Sequence, residues 1–153
     1  MNSEPAPVRI RELGETIASA VETMTPAAFH ARTAPDAWSA AEVAGHASEF
    51  PVTFARQALA LSKSPGMMLG RQLDDPGRLA AVARLGDATP AQAAAMVRGA
   101  TQESAALIEQ IAPEGWDAAG TRVVNGEPFT VRQVIEMLIV GHLSGHLAQL
   151  GSA

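Results

Sequence analysis

The sequence predicts an all-α protein: a four-helix bundle with a short extra helix and a small hairpin in its connections. Apolar residues recur three and four positions apart along four long stretches, which is typical of helices with one buried face. Alanine is abundant and aromatic residues make up only 4% of the chain, so the core suits closely packed helices better than an aromatic-rich sheet. The two long connections indicate that consecutive helices are not all antiparallel neighbours.

Length and charge narrow the class of protein. The chain has 153 residues, and we expect one domain over residues 1–153. Its net charge is −5 and its basic residues are scattered, so we expect no nucleic-acid partner. No signal-peptide pattern and no apolar run of membrane-spanning length is present, which predicts a cytoplasmic protein without a membrane partner. Because the chain has no cysteine, it can form neither a disulfide nor a cysteine-ligated zinc site.

The first two long helices are predicted from periodicity and a cap. The first carries apolar residues along one face: Ile10, Leu13, Ile17, Val21 and Met24. The second begins at Ser39, which forms an S-x-x-E capping box with Glu42, and Trp38 just before the cap can staple the entry of the chain. His46 lies on the buried face of this helix. Pro51 removes a backbone hydrogen bond inside it, which predicts a kink one turn beyond His46.

A short helix and a third long helix come next. Asp75 as cap and Pro76 at the first helical position predict the short helix, with Gly86 closing it. The third long helix opens at Thr89, with Gln92 three residues later as its capping partner. After it, the Asn-Gly pair within residues 123–126 favours a tight primed turn and predicts half of a small hairpin there.

The last helix carries two histidines on the face that should be buried. Thr130 and Gln133 form a third capping box at its start. One face then presents Val131, Ile135, Leu138, His142 and His146. Imidazoles four residues apart on a helix lie close enough to bind one metal ion.

Together with His46 on the second helix, His142 and His146 form a candidate metal site. Three neutral histidine ligands leave a coordination position open, which is typical of a reactive site rather than a closed structural one. Imidazole ligation suits zinc, nickel, copper or iron. The alternative interpretation is a metal-free core in which the histidines are hydrogen-bonded to protein groups.

Each of the three histidines directly follows a glycine, namely Gly45, Gly141 and Gly145. A glycine inside a helix costs roughly 1 kcal/mol relative to alanine, so three of them need a reason. Close helix packing or a dimer seam explains them as well as a direct role at the site does.

Two motifs resemble the DinB-like superfamily: W-S-x-x-E-V-x-x-H at 38–46 and H-x-x-x-H-x-x-Q-L at 142–150. The superfamily includes bacterial damage-inducible proteins, metal hydrolases of the YfiT type, and metal-dependent transferases and isomerases that use mycothiol or bacillithiol. The resemblance implies an up-down-down-up bundle and frequent homodimers. It also implies that His46, His142 and His146 bind a divalent metal.

The resemblance implies a metal-dependent enzyme acting on a small molecule, either a thiol S-transferase or a hydrolase. The expected cofactor is zinc, nickel, iron or manganese, and a low-molecular-weight thiol is the expected cosubstrate of a transferase, because the chain has no thiol of its own. The alternative is a non-catalytic, stress-related binding protein whose metal is structural or absent.

Two further residues are candidates for roles around the metal. Glu49, one turn after His46, could act as a catalytic base, or it is a solvated residue or a local salt-bridge partner. Gln149, one turn after His146, could support that ligand from outside the first coordination shell. The zinc-protease pattern H-E-x-x-H is excluded, because Leu143 stands where the glutamate is needed.

Overall fold

The computed structural model describes residues 4–151, so the ends of the expected domain, residues 1–3 and 152–153, lie outside the described residues. The helices are α1 (Ala6–Glu22), α2 (Pro26–His30), α3 (Ala40–Ala47), α4 (Phe50–Lys63), α5 (Pro76–Ala83), α6 (Pro90–Glu109), α7 (Val131–Gln133) and α8 (Gly141–Gly151). A π-helical segment, Val134–Val140, joins α7 to α8, and we call these three parts the final helix. No helix in this part of the chain is long and apolar enough to cross a membrane.

The bundle begins with α1 packed antiparallel against α6. Arg98 in the first half of α6 pairs with Glu22 at the end of α1, whereas Arg11 near the start of α1 pairs with Glu109 at the end of α6. The two helices lie close together, because a methyl group on Gly14 would be only 2.0 Å from the hydroxyl oxygen of Thr101.

The bundle has four long arms, namely α1, the α3–α4 pair, α6 and the final helix. The α3–α4 pair is the second arm and runs parallel to α6. The Ser104 hydroxyl in α6 donates a 2.8 Å hydrogen bond to the carbonyl of Pro51, at the start of α4. Just beyond α6, a Cβ on Gly115 would be 2.9 Å from the Cβ of Ser62, near the end of α4. Contacts at corresponding ends show that the two helices have the same direction.

The final helix completes the bundle between α1 and the α3–α4 pair. Arg9 near the start of α1 pairs with Glu136 near the start of the final helix, so these two helices are parallel. Along the α3–α4 pair the order is reversed, since α3 packs on α8 while α4 packs on the π-helical segment. These directions confirm the up-down-down-up bundle.

The core is apolar and lies between the four long arms. Its largest fully buried apolar side chains are Ile10, Ile17, Phe29, Phe50, Leu61, Leu69, Ile108, Ile135, Ile139 and Leu143. All the predicted capping boxes are present, and each cap hydroxyl accepts a hydrogen bond from a backbone N–H three residues later. The predicted cap of the short helix, Asp75, also accepts the N–H of Arg78.

The kink predicted at Pro51 is a complete break in the helix. The segment α3 ends at Ala47, and α4 begins at Phe50 after two intervening residues, with Pro51 in its first turn. Proline is tolerated there because the first N–H groups of a helix have no intrahelical acceptor. The Ser48 hydroxyl donates a 2.7 Å hydrogen bond to the carbonyl of Gly45, which stabilises the end of α3.

A three-stranded sheet in the order β1-β2-β3 lies in the connections. The hairpin pairs β2 (Ala119–Arg122) antiparallel with β3 (Pro128–Thr130), and β1 (Met68–Leu69) lies parallel to β2. The strand β1 was not predicted, because a two-residue strand has no period from which to recognise it.

The hairpin loop differs from the primed turn predicted around Asn125. Residues 123–126 belong to a loop that follows β2 and are not part of a strand. Gly126 has a φ of +71°, but Asn125 has a negative φ, which excludes the type I′ turn. The Asn125 side chain instead accepts a hydrogen bond from the N–H of Glu127, so asparagine stabilises a wider loop.

The final helix is not the regular α-helix that its periodicity predicts. In the π-helical segment the backbone N–H of Gly141 donates to the carbonyl of Glu136, five residues earlier. The segment buries Ile135 and Ile139, whereas Leu138, predicted for the same face as the histidines, is only half-buried. A π-helical turn contains one residue more than an α-helical turn, so the side chains that face the core differ before and after this segment.

Candidate metal centre

The fold brings His46 of α3 together with His142 and His146 of α8. Their ring centroids are 5.0 Å apart for His46 and His142, 5.2 Å for His46 and His146, and 4.7 Å for His142 and His146. One nitrogen from each ring lies within 4.8 Å of the others. This arrangement could hold a metal ion, as the sequence predicts.

Burial without hydrogen bonding sets these imidazoles apart from ordinary core histidines. His46 is 2% exposed and His146 is 8% exposed. Both ring nitrogens of His46 and the Nε2 of His146 are buried without a hydrogen-bond partner among the described residues. Such atoms are rare because each loses its hydration without compensation. The residues therefore fit a divalent metal better than they fit a hydrogen-bonded core.

The two histidines on α8 are oriented by partners on their own helix. The Nδ1 of His146 donates a 3.0 Å hydrogen bond to the side-chain oxygen of Gln149, which leaves Nε2 as the free ligand atom. His142 is hydrogen-bonded to the backbone of Leu138. Gln149 therefore contacts His146 as expected, and its support of a metal ligand stays a prediction.

The environment keeps the imidazoles neutral, which is the form that binds metals. Burial, followed by the neighbouring imidazoles, lowers the pKa of His46 to about 3. Burial is also the main cause that lowers the pKa of His142 to about 4 and that lowers the pKa of His146. The positive charge of Arg78 acts in the same direction on all three histidines.

Two aromatic rings enclose the cluster. Phe50 stacks on His142 at 4.1 Å between ring centroids and lies 4.7 Å from His46. The Trp38 ring lies 5.5 Å from His46, and it stacks nearly parallel to the His146 ring at 5.9 Å between centroids. The sequence predicts only that Trp38 staples the entry of the chain before the Ser39 cap, but the same position also directs the indole toward the cluster.

An apolar cavity of about 670 Å³ adjoins this enclosure. Trp38 and Gln149, which both contact His146, line it together with Met24, Val43 and Leu150. This volume lies in the range of small-molecule pockets.

Glu49 lies outside the histidine cluster, and its carboxylate is engaged elsewhere. Arg71 donates to both carboxylate oxygens, at 2.7 and 2.5 Å, and the Thr53 hydroxyl donates to Oε1 at 2.5 Å. The salt-bridge alternative thus describes what Glu49 contacts here, and its catalytic role stays a prediction.

Two arginines near the cluster were not recognised in the sequence. Arg71 and Arg78 both lower the pKa of His46 through their charge, and Arg78 stacks over Trp38 with its Cζ 5.5 Å from the ring centroid. Arg71 lies in the connection between α4 and α5, and Arg78 lies in α5, the short helix that follows this connection. The path of this connection depends on tertiary packing, so no local sequence pattern predicts that the two arginines lie near the histidines.

The three glycines that precede the histidines have different surroundings. A Cβ on Gly45 would lie 2.4 Å from the carbonyl oxygen of Ala81, so this glycine lets α3 approach α5. Among the described residues, a Cβ on Gly141 would meet only the Glu136 carbonyl of its own helix, at 3.2 Å, and one on Gly145 would meet no atom within 4 Å. Close helix packing therefore explains Gly45 alone.

The sequence profile of the DinB superfamily matches residues 9–150. The chain belongs to the DinB superfamily. Among solved structures, this DinB-superfamily chain is similar to YfiT from Bacillus subtilis, which is described as a probable metal-dependent hydrolase with an unusual four-helix bundle topology. The TM-score is 0.77 at 17% sequence identity, with 99% of this chain and 89% of YfiT covered. No curated protein matches the chain in sequence.

Proposed function

We propose that this DinB-superfamily protein is a metal-dependent enzyme that acts on a small molecule. His46, His142 and His146 would hold the divalent metal, which we propose to be zinc, nickel, iron or manganese. One observation carries the proposal: three imidazoles converge, and three ring nitrogens of the buried residues His46 and His146 have no partner among residues 4–151. The description of YfiT as a probable metal-dependent hydrolase supports it.

The metal and the residues around it would have separate roles in the reaction. A bound divalent metal would supply a Lewis acid that lowers the pKa of a water or thiol at its open position. Gln149 holds the His146 ring so that one nitrogen faces the cluster. Trp38 and Phe50 exclude water from the ligands, which strengthens electrostatic interactions in the site.

Hydrolysis and thiol transfer are the two reactions that we propose. The chain has no cysteine, so a transferase would need a low-molecular-weight thiol as cosubstrate. In hydrolysis, Glu49 could act as the base only after exchanging its Arg71 contacts for a water, because both of its oxygens accept hydrogen bonds from that arginine. The cavity beside Trp38 offers room for the apolar part of either substrate.

Metal content is the first test. Untagged protein purified without chelators should contain about one equivalent of a divalent metal by mass spectrometry, and His46→Ala should lose it. His30→Ala is the matched control, because His30 bonds the Ala88 carbonyl at 3.0 Å, away from the cluster. No metal in the wild type after incubation with zinc, nickel and manganese would contradict the proposal.

The metal-loaded protein is then tested for activity. A model electrophile is offered with bacillithiol, mycothiol or glutathione, and hydrolysable esters and amides are offered without thiol. We expect turnover in one of these assays that His46→Ala lacks and His30→Ala keeps. If the metal binds but no assay shows turnover above the metal-free protein, the enzymatic part of the proposal fails.

A structural role for the metal is the second candidate. It is favoured by the burial of His46 and His146, since little of either ring is open to solvent. In this case the metal should raise stability in wild type, while no substrate assay responds to it.

A further inference from the structure

We propose that the substrate of this centre carries an oxyanion, such as a carboxylate or phosphate, and that Arg78 binds it. The inference rests on the proposed function, because it names the substrate class of the same site.

Arg78 lies beside the aromatic enclosure of the histidines. Its guanidinium stacks over Trp38 with Cζ 5.5 Å from the ring centroid, and the same ring contacts His46 and His146. Its Nη1 donates a 2.8 Å hydrogen bond to the carbonyl of Leu73. The side chain is half-buried, so part of it remains accessible to a ligand.

The backbone fixes the position of Arg78 relative to the cluster. Arg78 is one turn before Ala81 on α5, and His46 directly follows Gly45 on α3. Gly45 and the Ala81 carbonyl approach so closely that a Cβ on the glycine would lie 2.4 Å from that oxygen. This contact holds the second half of α5 beside the end of α3, and Arg78 is one turn earlier on the same helix, so its guanidinium is prepositioned near the site.

The two arginines near the centre differ in their carboxylate partners. Arg71 is compensated by Glu49 and lies 3.7 Å from a carboxylate oxygen of Asp75. In contrast, no carboxylate of residues 4–151 forms a salt bridge with Arg78, and the ligand cluster contains only neutral imidazoles. A divalent ion there would add to the positive charge of Arg78.

With a divalent ion bound, the site would carry positive charge that is not offset, since the carboxylates of Glu49 and Asp75 balance only the two arginines. A focused positive potential attracts anionic ligands and raises their local concentration. A guanidinium in addition offers paired N–H donors whose geometry matches carboxylate and phosphate oxygens. The geometry and the charge therefore both favour an anionic substrate over a neutral or cationic one.

Two matched thiols test the inference by binding rather than by activity. Cobalt-loaded protein is titrated with 3-mercaptopropionate, which carries a carboxylate, and with neutral 2-mercaptoethanol, while the thiolate-to-cobalt charge-transfer absorption is followed. We expect wild type to bind 3-mercaptopropionate about tenfold more tightly. Arg78→Gln should remove this preference and change the affinity for 2-mercaptoethanol by less than about twofold.

Arg122→Gln is the matched control, because Arg122 also stacks on an aromatic ring, 4.7 Å from the centroid of Phe129, without contacting the histidine cluster. It should leave both affinities unchanged. Arg78→Lys keeps the charge and should retain part of the preference. If Arg78→Gln does not fold, the inference is tested in wild type by varying the ionic strength. Higher ionic strength should weaken the binding of 3-mercaptopropionate and leave the affinity for 2-mercaptoethanol unchanged.

Three results would overturn the inference. Wild type could bind the two thiols equally, it could bind neither, or Arg78→Gln could lose affinity for both thiols to the same extent. Cobalt content, measured in every variant, separates this failure from a failure of the proposed function. A wild type that binds no cobalt would refute the metal centre itself, whereas normal cobalt content without a preference would refute only the role of Arg78.

Discussion

At the scale of single residues, His46 shows how burial couples folding to protonation. Its ring is 2% exposed, and neither nitrogen has a hydrogen-bond partner among the described residues. In the folded, metal-free protein its pKa is lowered from 6.5 to about 3, mainly by burial. An unfolded chain, by contrast, would protonate this imidazole below about pH 6.5.

The stability of the metal-free protein should therefore fall on acidification. Between pH 6.5 and 5 the unfolded state binds protons that His46 and His142 do not accept in the fold, so protonation favours unfolding. Each imidazole contributes a limiting slope of about 1.4 kcal/mol per pH unit. Urea unfolding at pH 8, 6.5, 5.5 and 5 measures this loss.

His46→Leu should reduce the slope relative to the metal-free wild type. If the free energy of unfolding of the metal-free wild type does not depend on pH in this window, then the histidines are not buried as described.

The cluster of three histidines could be predicted from the sequence, but the charged residues around it could not. The positions of His142 and His146 follow from the spacing within one helix, and a third inward histidine on a capped helix supplies His46. Arg71 and Arg78 reach the site through a loop and a short helix, so their positions depend on contacts between elements that are distant along the chain.

At the scale of elements, the approach of α3 to α5 depends on Gly45. Gly45→Ala should destabilise the protein by about 2 kcal/mol, because the added methyl would meet the Ala81 carbonyl, and a backbone carbonyl cannot move aside as a flexible side chain can. Gly145→Ala is the matched substitution in α8, where nothing lies within 4 Å. It should stabilise by about 0.5–1 kcal/mol, since alanine favours the helix.

Chemical denaturation of the two variants beside wild type gives both values. A similar effect of the two substitutions would show that helix propensity, rather than the α3–α5 contact, decides the outcome.

Caps and helix starts were predictable because a cap is a contact between residues three apart. The Ser39, Thr89 and Thr130 caps all form as their spacing predicts. The break before α4 was underestimated, since Pro51 alone does not show whether a helix bends or restarts. Here the Ser48 contact to Gly45 ends the helix first.

At the scale of the whole molecule, the histidine cluster joins the second of the four long arms of the bundle to the last, which lie far apart in sequence. His46 comes from α3, and His142 and His146 come from α8, so a bound ion would link these helices. A ligand that binds only the folded state stabilises it by mass action, about 2.7 kcal/mol at one hundred times the dissociation constant.

We expect the melting temperature of the metal-free protein to rise with added zinc in wild type and in His30→Ala, and to stay constant in His46→Ala. Differential scanning calorimetry over a series of zinc concentrations measures this dependence. An equal rise in all three proteins would place zinc binding elsewhere on the molecule.

The direction of each helix could not be obtained from periodicity, which reports a buried face but not a neighbour. The up-down-down-up order was expected from the resemblance of the 38–46 and 142–150 motifs, and the contacts of Arg11, Arg98 and Ser104 confirm it. Long connections permit this order, because they allow α6 to run parallel to the arm that precedes it.

The π-helical segment has a consequence for how relatives should be aligned. An ordinary helix turns about 100° per residue, so one residue more or less between the Thr130 cap and His142 would rotate the ligands away from His46. The wider turns of the π-helical segment Val134–Val140 accommodate one additional residue. The apolar face before the segment and the histidine face after it therefore both point inward. A relative with a regular helix here would need one residue fewer to present the same ligands. A single-residue gap at this place would thus mark conservation of geometry rather than divergence.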